Sequence, residues 1–361
     1  MSNTVKDQCH TFFYGHHELT AAEEFYAMAE WCQQNNIKHD IYGEGELIQQ
    51  FEQRVADLLG FEKGLFIATG TLNQPTVLQL VCRQKNFDCV AMHHTAHILK
   101  HECQGYQLQN RFKVLPIGDP FSVWTIEDLK DIKDDIAAAL YELPMREIGG
   151  QLPTWEALTA IKTYCHQHNI HLHMDGARLW ETKDYYAKEY AEIAHGFNSV
   201  YISLYKGIGG LGGSILVGSE ALIERASVWV KRQGGNLARR SPYIVSAAMK
   251  FDQQLQKMSA YYLRTKEIYQ VLANYPFIIP NPEYPQTSML HLYLPISCNQ
   301  ATQVRDKIAK EHGIYFFNRI QSSPFANQCF FEWDVGDCLL DMPDKQLIKS
   351  LDLLAKEIKS L

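Results

Sequence analysis

The chain has 361 residues, 46% of them hydrophobic and 21% charged, the balance of an ordinary globular protein of about two domains. A formal net charge of −7 gives no basis for nucleic acid or an anionic membrane as partner. The opening MSNTVKDQCH has neither the basic nor the apolar region of a signal peptide, no apolar run could span a bilayer, and nine scattered cysteines include no C-x-x-C pair, so a reducing cytoplasm is the expected setting.

Thr20-Ala-Ala-Glu23 has the form of a capping box and opens a helix running through Trp31. ELIQQFEQRVADLLG then places Leu47, Ile48, Phe51, Val55 and Leu58 on one helical face and stops at Gly60. From there short apolar runs alternate with helices. GLFIA (64–68) reads as a strand and is followed by a helix over 72–82; FDCVAM (87–92) reads as the next strand. Thr125 caps a helix before the strand IAAALYE (136–142), and Thr154 caps one that reaches His168 before the strand IHLHM (170–174). SVYISL (199–204) and SILVG (214–218) complete the set. Repeated strand–helix–strand units predict an α/β fold with a mostly parallel sheet covered by helices on both faces.

After Arg240 the texture changes. A helix over 243–273 leads to the proline-rich YPFIIPNPEYP, and TSMLHLYLP alternates as a half-buried antiparallel strand should. GIYFFNRI and QCFFEWDV read as its partners, and a closing helix starts near Pro343. The expected organisation is an N-terminal segment 1–30 packing on the small domain or a neighbouring subunit, a large domain 31–245, and a smaller α+β domain 246–361.

The glycine-rich SLYKGIGGLGGSILVG (203–218) satisfies G-x-G-x-x-G at Gly207, Gly209 and Gly212. A dinucleotide fingerprint must lead from a strand into a helix, because the pyrophosphate sits on that helix's amino end. Here the glycines lead into SILVG, a β-branched strand, so the lysine before them, Lys206, is the residue of interest. A parallel sheet offers its ligand groups beyond the carboxyl ends of its strands. Three such groups are expected there: Thr69-Gly70-Thr71 before a helix, Asp175, and Lys206. A phosphate cradle, a carboxylate and a lysine together match the needs of pyridoxal 5'-phosphate. Its aldehyde takes an amine, and its ring nitrogen takes an acidic partner. Singly, each has a plainer reading as a helix cap, a turn or a solvated charge.

HMDGARLWE resembles the D-G-A-R-L segment of threonine aldolases and the related β-eliminating lyases. The lysine loop is similar to their S-x-S-K-G, DIYGEGELIQQ…ATGTLNQ to their Y-G-E segment and S-G-T phosphate loop, and AHILKHE to their A-H-I-x-x-x-E. The resemblance runs from Asp40 to Gly218. It implies a fold-type-I pyridoxal-phosphate enzyme, a homodimer or homotetramer with shared active sites. It also implies Lys206 as the cofactor-linked lysine, Asp175 on the pyridine nitrogen, Gly70 and Thr71 on the phosphate, and His97 stacked on the ring. Arg178 would bind the substrate carboxylate, for which a planar guanidinium is suited. Within KRQGGNLARR, Arg239 or Arg240 would reach a neighbour's phosphate. His93, His94, His97 and His101 have spacing that a metal could use, but this chemistry needs none and no metal is expected. His171 and His173 read as packed core histidines.

Three departures stand out. Where threonine aldolases carry E-N-T-H, whose histidine faces the substrate hydroxyl, this chain has Leu143, Pro144 and Met145 after Glu142. Gln328 stands near the place of a second carboxylate-binding arginine, and FFYGHHELT replaces an R-S-D-T segment. The resemblance implies cleavage of a β-hydroxy-α-amino acid, threonine or allo-threonine, to glycine and an aldehyde. The alternatives are a β-eliminating lyase or other amino-acid enzyme on the same scaffold, and a catalytically silent cofactor-binding protein.

Overall fold

A computed structural model describes residues 4–361. The chain opens with β1 (Thr11–Phe12), followed by α1 (Ala21–Gln34), α2 (Glu46–Leu59), β2 (Lys63–Ile67), α3 (Gly70–Lys85) and β3 (Cys89–His93). Next come α4 (His97–Lys100), β4 (Lys113–Ile117), α5 (Ile126–Lys130), β5 (Ala138–Glu142), α6 (Trp155–Gln167) and β6 (His171–Asp175). Short helices α7 (Lys183–Tyr186) and α8 (Tyr190–Ala194) precede β7 (Ser199–Ser203), β8 (Ser214–Gly218), α9 (Glu220–Arg232) and the long α10 (Ser241–Leu272). The remainder is β9 (Ile279–Asn281), β10 (Met289–Leu294), α11 (Cys298–His312), β11 (Ile314–Tyr315), β12 (Gln321–Ser322), β13 (Cys329–Asp334), α12 (Asp337–Leu340) and α13 (Asp344–Lys359). Two compact units divide this chain. The larger holds Leu19–Glu147 and Gln151–Gln256, and the smaller holds the residues up to Glu18, Ile148–Gly150 and Lys257–Leu361.

In the larger unit, seven strands form one sheet in the order β2-β8-β7-β6-β5-β3-β4. All run parallel except β8, which is antiparallel to both its neighbours. Every residue of β5, β7 and β8 is buried, as continuous apolar strands covered on both faces should be. Alanines in β5 leave room for α3, whose Val77, Leu78 and Val81 join Val90, Met92, Ala138 and Leu140 in one core. The helix ends follow their sequence signals. Glu23 accepts from the Thr20 amide at 2.8 Å while Thr20 accepts from the Glu23 amide, and Gly60 closes α2 at φ +75°. The buried stripe of α2 is Ile48, Phe51, Val55, Ala56 and Leu59; Leu47 and Leu58 are only half-buried, so the face lies part of a turn from the expected one. Sequence reading assigned nothing to β4, which carries Pro116. As the sheet's edge strand, β4 needs no donor on its outer side.

The smaller unit holds a four-stranded antiparallel sheet, β12-β13-β10-β9. QCFFEWDV pairs with β10 as expected, from Met289↔Asp334 to Leu294↔Cys329. GIYFFNRI does not: after Gly313 ends α11, Ile314 and Tyr315 pair in parallel with Thr11 and Phe12 of β1. Nor is β10 half-buried, since only Tyr293 keeps partial exposure. On one face Leu290, Leu292 and Leu294 share a core with Phe331, Trp333, Phe316 and Leu351, and on the other the His291 ring lies against Phe330 with centroids 5.0 Å apart. The N-terminal stretch is tied to this unit by the Gly15 amide on Asp334 O (2.8 Å) and by His16 on Asp337 (3.0 Å).

Candidate active site

The carboxyl ends of β2, β6 and β7 converge on one cavity of about 370 Å³. Beyond β2, Thr69 is the N-cap of α3 and its hydroxyl accepts from the Leu72 amide at 3.2 Å. The Gly70 and Thr71 amides open that helix, where intrahelical acceptors are lacking and the dipole is positive. A Cβ on Gly70 would lie 2.5 Å from the Tyr201 hydroxyl, so only glycine lets this loop close on β7.

Asp175 ends β6 and is buried. Its Oδ1 accepts from the Ala177 amide (3.1 Å) and its Oδ2 from Gln74 Nε2 (2.8 Å). Lys206 lies three residues beyond β7, in a loop drawn tight by Gly209 N–H on Lys206 O (3.0 Å) and Gly210 N–H on Leu204 O (2.8 Å). Gly213, at φ +90°, meets the Phe66 ring where a side chain would start. The glycines therefore turn the chain into β8, an antiparallel strand, and build no nucleotide-binding helix. Burial, and then the Arg178 guanidinium, push the Lys206 amine below its ordinary pKa.

His97 begins α4, with Nδ1 3.1 Å from Glu102 Oε1. That hydrogen bond raises the histidine pKa, and a carboxylate acceptor places the proton on Nδ1. Glu142 ends β5 in register with Asp175, which itself pairs with Tyr201 of β7. The two Glu142 oxygens accept from the amides of Arg146 (3.1 Å) and His97 (3.3 Å). Burial, and then the charge of Asp175, push the Glu142 carboxyl up to about 7.

Of the residues singled out in the sequence, Thr69, Gly70, Thr71, His97, Asp175 and Lys206 all line the cavity. Arg178 and Arg239 do not. Arg178 is largely buried, its Nε 3.7 Å from Glu181 Oε1, and Arg239 donates to the main-chain oxygen of Asp40. His171 and His173 share the Ser199 hydroxyl at 2.8 and 2.7 Å, and burial pushes both rings down to about 3. His93 bonds Thr95 and Asp119, and His101 bonds Glu147. Among the described residues no group of three or more His, Cys, Asp or Glu could hold a metal ion, and no helix is long and apolar enough to cross a membrane. Leu143, Pro144 and Met145 are buried, and Gln328 is engaged with the Ser323 hydroxyl at 2.6 Å.

Of the polar lining residues, sequence reading missed Gln74, Tyr201 and Tyr205, and met Glu102 only as the last letter of AHILKHE, with no role given to it. The signals were faint. Asn73-Gln74 is a polar pair in a helix whose next four residues, Pro75 to Leu78, are apolar or small.

The arrangement fits pyridoxal phosphate on its own geometry. Helix-end amides and a glycine cradle suit the phosphate, the buried Asp175 suits the ring nitrogen, and a lysine of lowered basicity suits the aldehyde. Gln74 Oε1 is a buried polar atom without a partner, in keeping with a wall built to face a polar ligand.

Residues 20–294 match the model of the beta-eliminating lyase family. The chain is similar over 98% of its length to a solved structure from Listeria monocytogenes provisionally assigned as an L-allo-threonine aldolase, with 35% identity, 99% of that chain covered and a TM-score of 0.92. A structure from Exiguobacterium, provisionally an aromatic amino acid beta-eliminating lyase/threonine aldolase, aligns over 98% of both chains at 32% identity and a TM-score of 0.92. The low-specificity L-threonine aldolase of Eremothecium gossypii is 33% identical over 58% of this chain, and the alignment spans 56% of that relative's length. With a fold-type-I architecture and a cavity suited to pyridoxal phosphate, the chain belongs to the beta-eliminating lyase family.

Proposed function

We propose that the protein is a pyridoxal-phosphate-dependent lyase that cleaves a β-hydroxy-α-amino acid, threonine or allo-threonine, to glycine and an aldehyde. The observation that carries this reading is the meeting of Gly70–Thr71, Asp175 and Lys206 in one cavity. Bound pyridoxal phosphate supplies an aldehyde that links to amines and a protonated ring that withdraws electrons from the bond being broken.

The protein's own groups divide the remaining work. The Gly70 and Thr71 amides hold the phosphate dianion at the head of α3, helped by the Thr69 hydroxyl. Asp175 would face the ring nitrogen and would favour its protonated form. His97, its Nδ1–H fixed by Glu102, presents a ring of set orientation to the cofactor face. Burial favours the neutral amine of Lys206, which suits its Nζ to act as a nucleophile and as a proton acceptor. Arg178 anchors the substrate carboxylate, and its closeness to Lys206 is registered in the lowered basicity of that amine.

A homodimer or homotetramer in a reducing cytoplasm completes the proposal. All nine cysteines are free. Phe25 and Tyr26 of α1 are exposed, while Lys250 bridges Glu24 of the same helix (2.5 Å) to Gly209 O of the lysine loop (2.6 Å). That places an exposed aromatic helix beside the cavity rim, where a second subunit would cover it. Arg239 would then face the second copy's phosphate.

Product analysis with threonine, allo-threonine and a β-substituted amino acid tests the reading. Glycine and acetaldehyde in equal amounts support aldol cleavage. A keto acid and ammonia without glycine would establish β-elimination instead, the second reading, which the apolar Leu143-Pro144-Met145 favours.

A further inference from the structure

We propose that Gln74 is the positioning residue of this site, clamping the Asp175 carboxylate in the orientation that its partnership with the cofactor ring nitrogen requires; this rests on the assignment of Asp175 made above. Asp175 receives two hydrogen bonds, one from the Ala177 amide, which any sequence would supply, and one from Gln74 Nε2 at 2.8 Å. Among the described residues the second is the only one given to the carboxylate by a side chain, and so the only one a substitution can remove cleanly. Because a carboxylate only accepts, the Gln74 amide must turn its N–H toward Asp175, leaving Oε1 without a partner in the cavity wall.

Gln74 is almost fully buried, and an amide in such a place is costly unless its hydrogen bonds repay it. A leucine would serve a purely space-filling role better. Asp175 also has an acidic neighbour: Glu142 stands in register on the next strand. The Glu142 carboxyl is held by two main-chain amides, those of Arg146 (3.1 Å) and His97 (3.3 Å), whereas the Asp175 carboxyl takes one of its two donors from the Gln74 side chain. Its location adds a mechanical point. Gln74 belongs to the same helix, α3, as Gly70 and Thr71, four and three residues earlier. One rigid element thus sets both the phosphate cradle and the carboxylate clamp, about 6 Å apart along its axis.

The test compares Gln74→Glu and Gln74→Leu with the parent, all loaded with pyridoxal phosphate. It follows the visible absorption of the lysine-bound cofactor and the cofactor dissociation constant across pH. In Gln74→Glu, a protonated carboxyl donates to Asp175 much as the amide does, so the acid end of the range should look like the parent. As pH rises the new group ionises against Asp175, and cofactor affinity should fall at least about tenfold with a matching spectral change, in one titration absent from the parent. Gln74→Leu should show the loss at every pH. Placed on an Asp175→Asn background, Gln74→Leu should add little, because its partner is already gone. A Gln74→Glu protein that tracks the parent across the range overturns the clamp, as does a Gln74→Leu effect that persists in full on the Asp175→Asn background. If Asp175→Asn alone leaves spectrum and affinity at parental values, the assignment of Asp175 itself fails, a result distinct from the other two.

Discussion

The carboxyl ends of β6 and β7 and the carboxyl end of β5 sit side by side in one sheet but differ in kind. Asp175 ends β6 and Lys206 lies three residues beyond β7, each held by its own short hydrogen-bonded loop. Glu142, pushed up to about 7, ends β5 and is followed by the buried apolar Leu143, Pro144 and Met145. The resemblance to threonine aldolases holds at Asp175 and Lys206, with Tyr205 in place of the second serine of S-x-S-K-G, and at the end of β5 it stops after Glu142. The difference teaches that the groups a cofactor needs are pinned by its fixed shape, whereas the groups that meet a substrate side chain are free to change with the substrate.

Breaking the matching side should have the largest effect. Lys206→Ala removes the attachment point and the nearby base, and turnover of any amino acid should drop by about a thousandfold or more, as steady-state kinetics would reveal. Retained turnover would dissolve the contrast between the strand ends. Asp175→Asn should still bind the cofactor, more weakly and with an altered spectrum, and cost about a hundred- to a thousandfold in kcat through the weakened electron sink, a loss comparable to removing one key electrostatic group. Parental kcat in that variant would show that the ring nitrogen lies elsewhere.

Arg178→Ala probes the substrate side. Losing a charge-assisted bidentate pair of roughly 1.5–3 kcal/mol should weaken amino-acid binding by about ten- to a hundredfold, with the lysine-linked cofactor unaffected. Equal binding by variant and parent would place the substrate carboxylate on another group. The smallest expected effect sharpens the β5 end. Glu142 has its pKa raised from 4.5 to about 7, so the folded protein binds the extra proton. Its stabilising contribution is full below about 4.5 and is lost as pH rises through about 7. Glu142→Gln should therefore gain on the order of 1–3 kcal/mol over the parent as pH goes from 4.5 to above 7, read from denaturant unfolding across pH. A constant difference between variant and parent would mean that the Glu142 carboxyl titrates alike in the folded and unfolded protein.

Much of the large unit was legible in the sequence because its signals are local. Thr20 and Glu23 form the box that their spacing announces, and SVYISL and SILVG are strands buried on both faces. The cavity's main residues were legible too, because strand ends in a parallel sheet place ligand groups on one rim. What stayed hidden depends on partners far apart in sequence. Gln74 and Asp175 are 101 residues apart, and nothing local to TGTLNQ says that its amide serves an aspartate in DGARL. Tyr201 is a strand tyrosine whose hydroxyl happens to close on Gly70. In the small unit, GIYFFNRI has the composition of a sheet partner, yet its pairing was decided by β1, three hundred residues away. Composition specifies a strand; it does not choose the strand's neighbour.

The central claim is that Lys206, and no other lysine, carries the cofactor. Borohydride reduction of the purified, cofactor-loaded protein, followed by proteolysis and mass mapping, reads this directly. A stable phosphopyridoxyl adduct should appear on the peptide containing SLYKGIGG, at Lys206. An adduct on a different lysine, with Lys206 unmodified, would contradict the account.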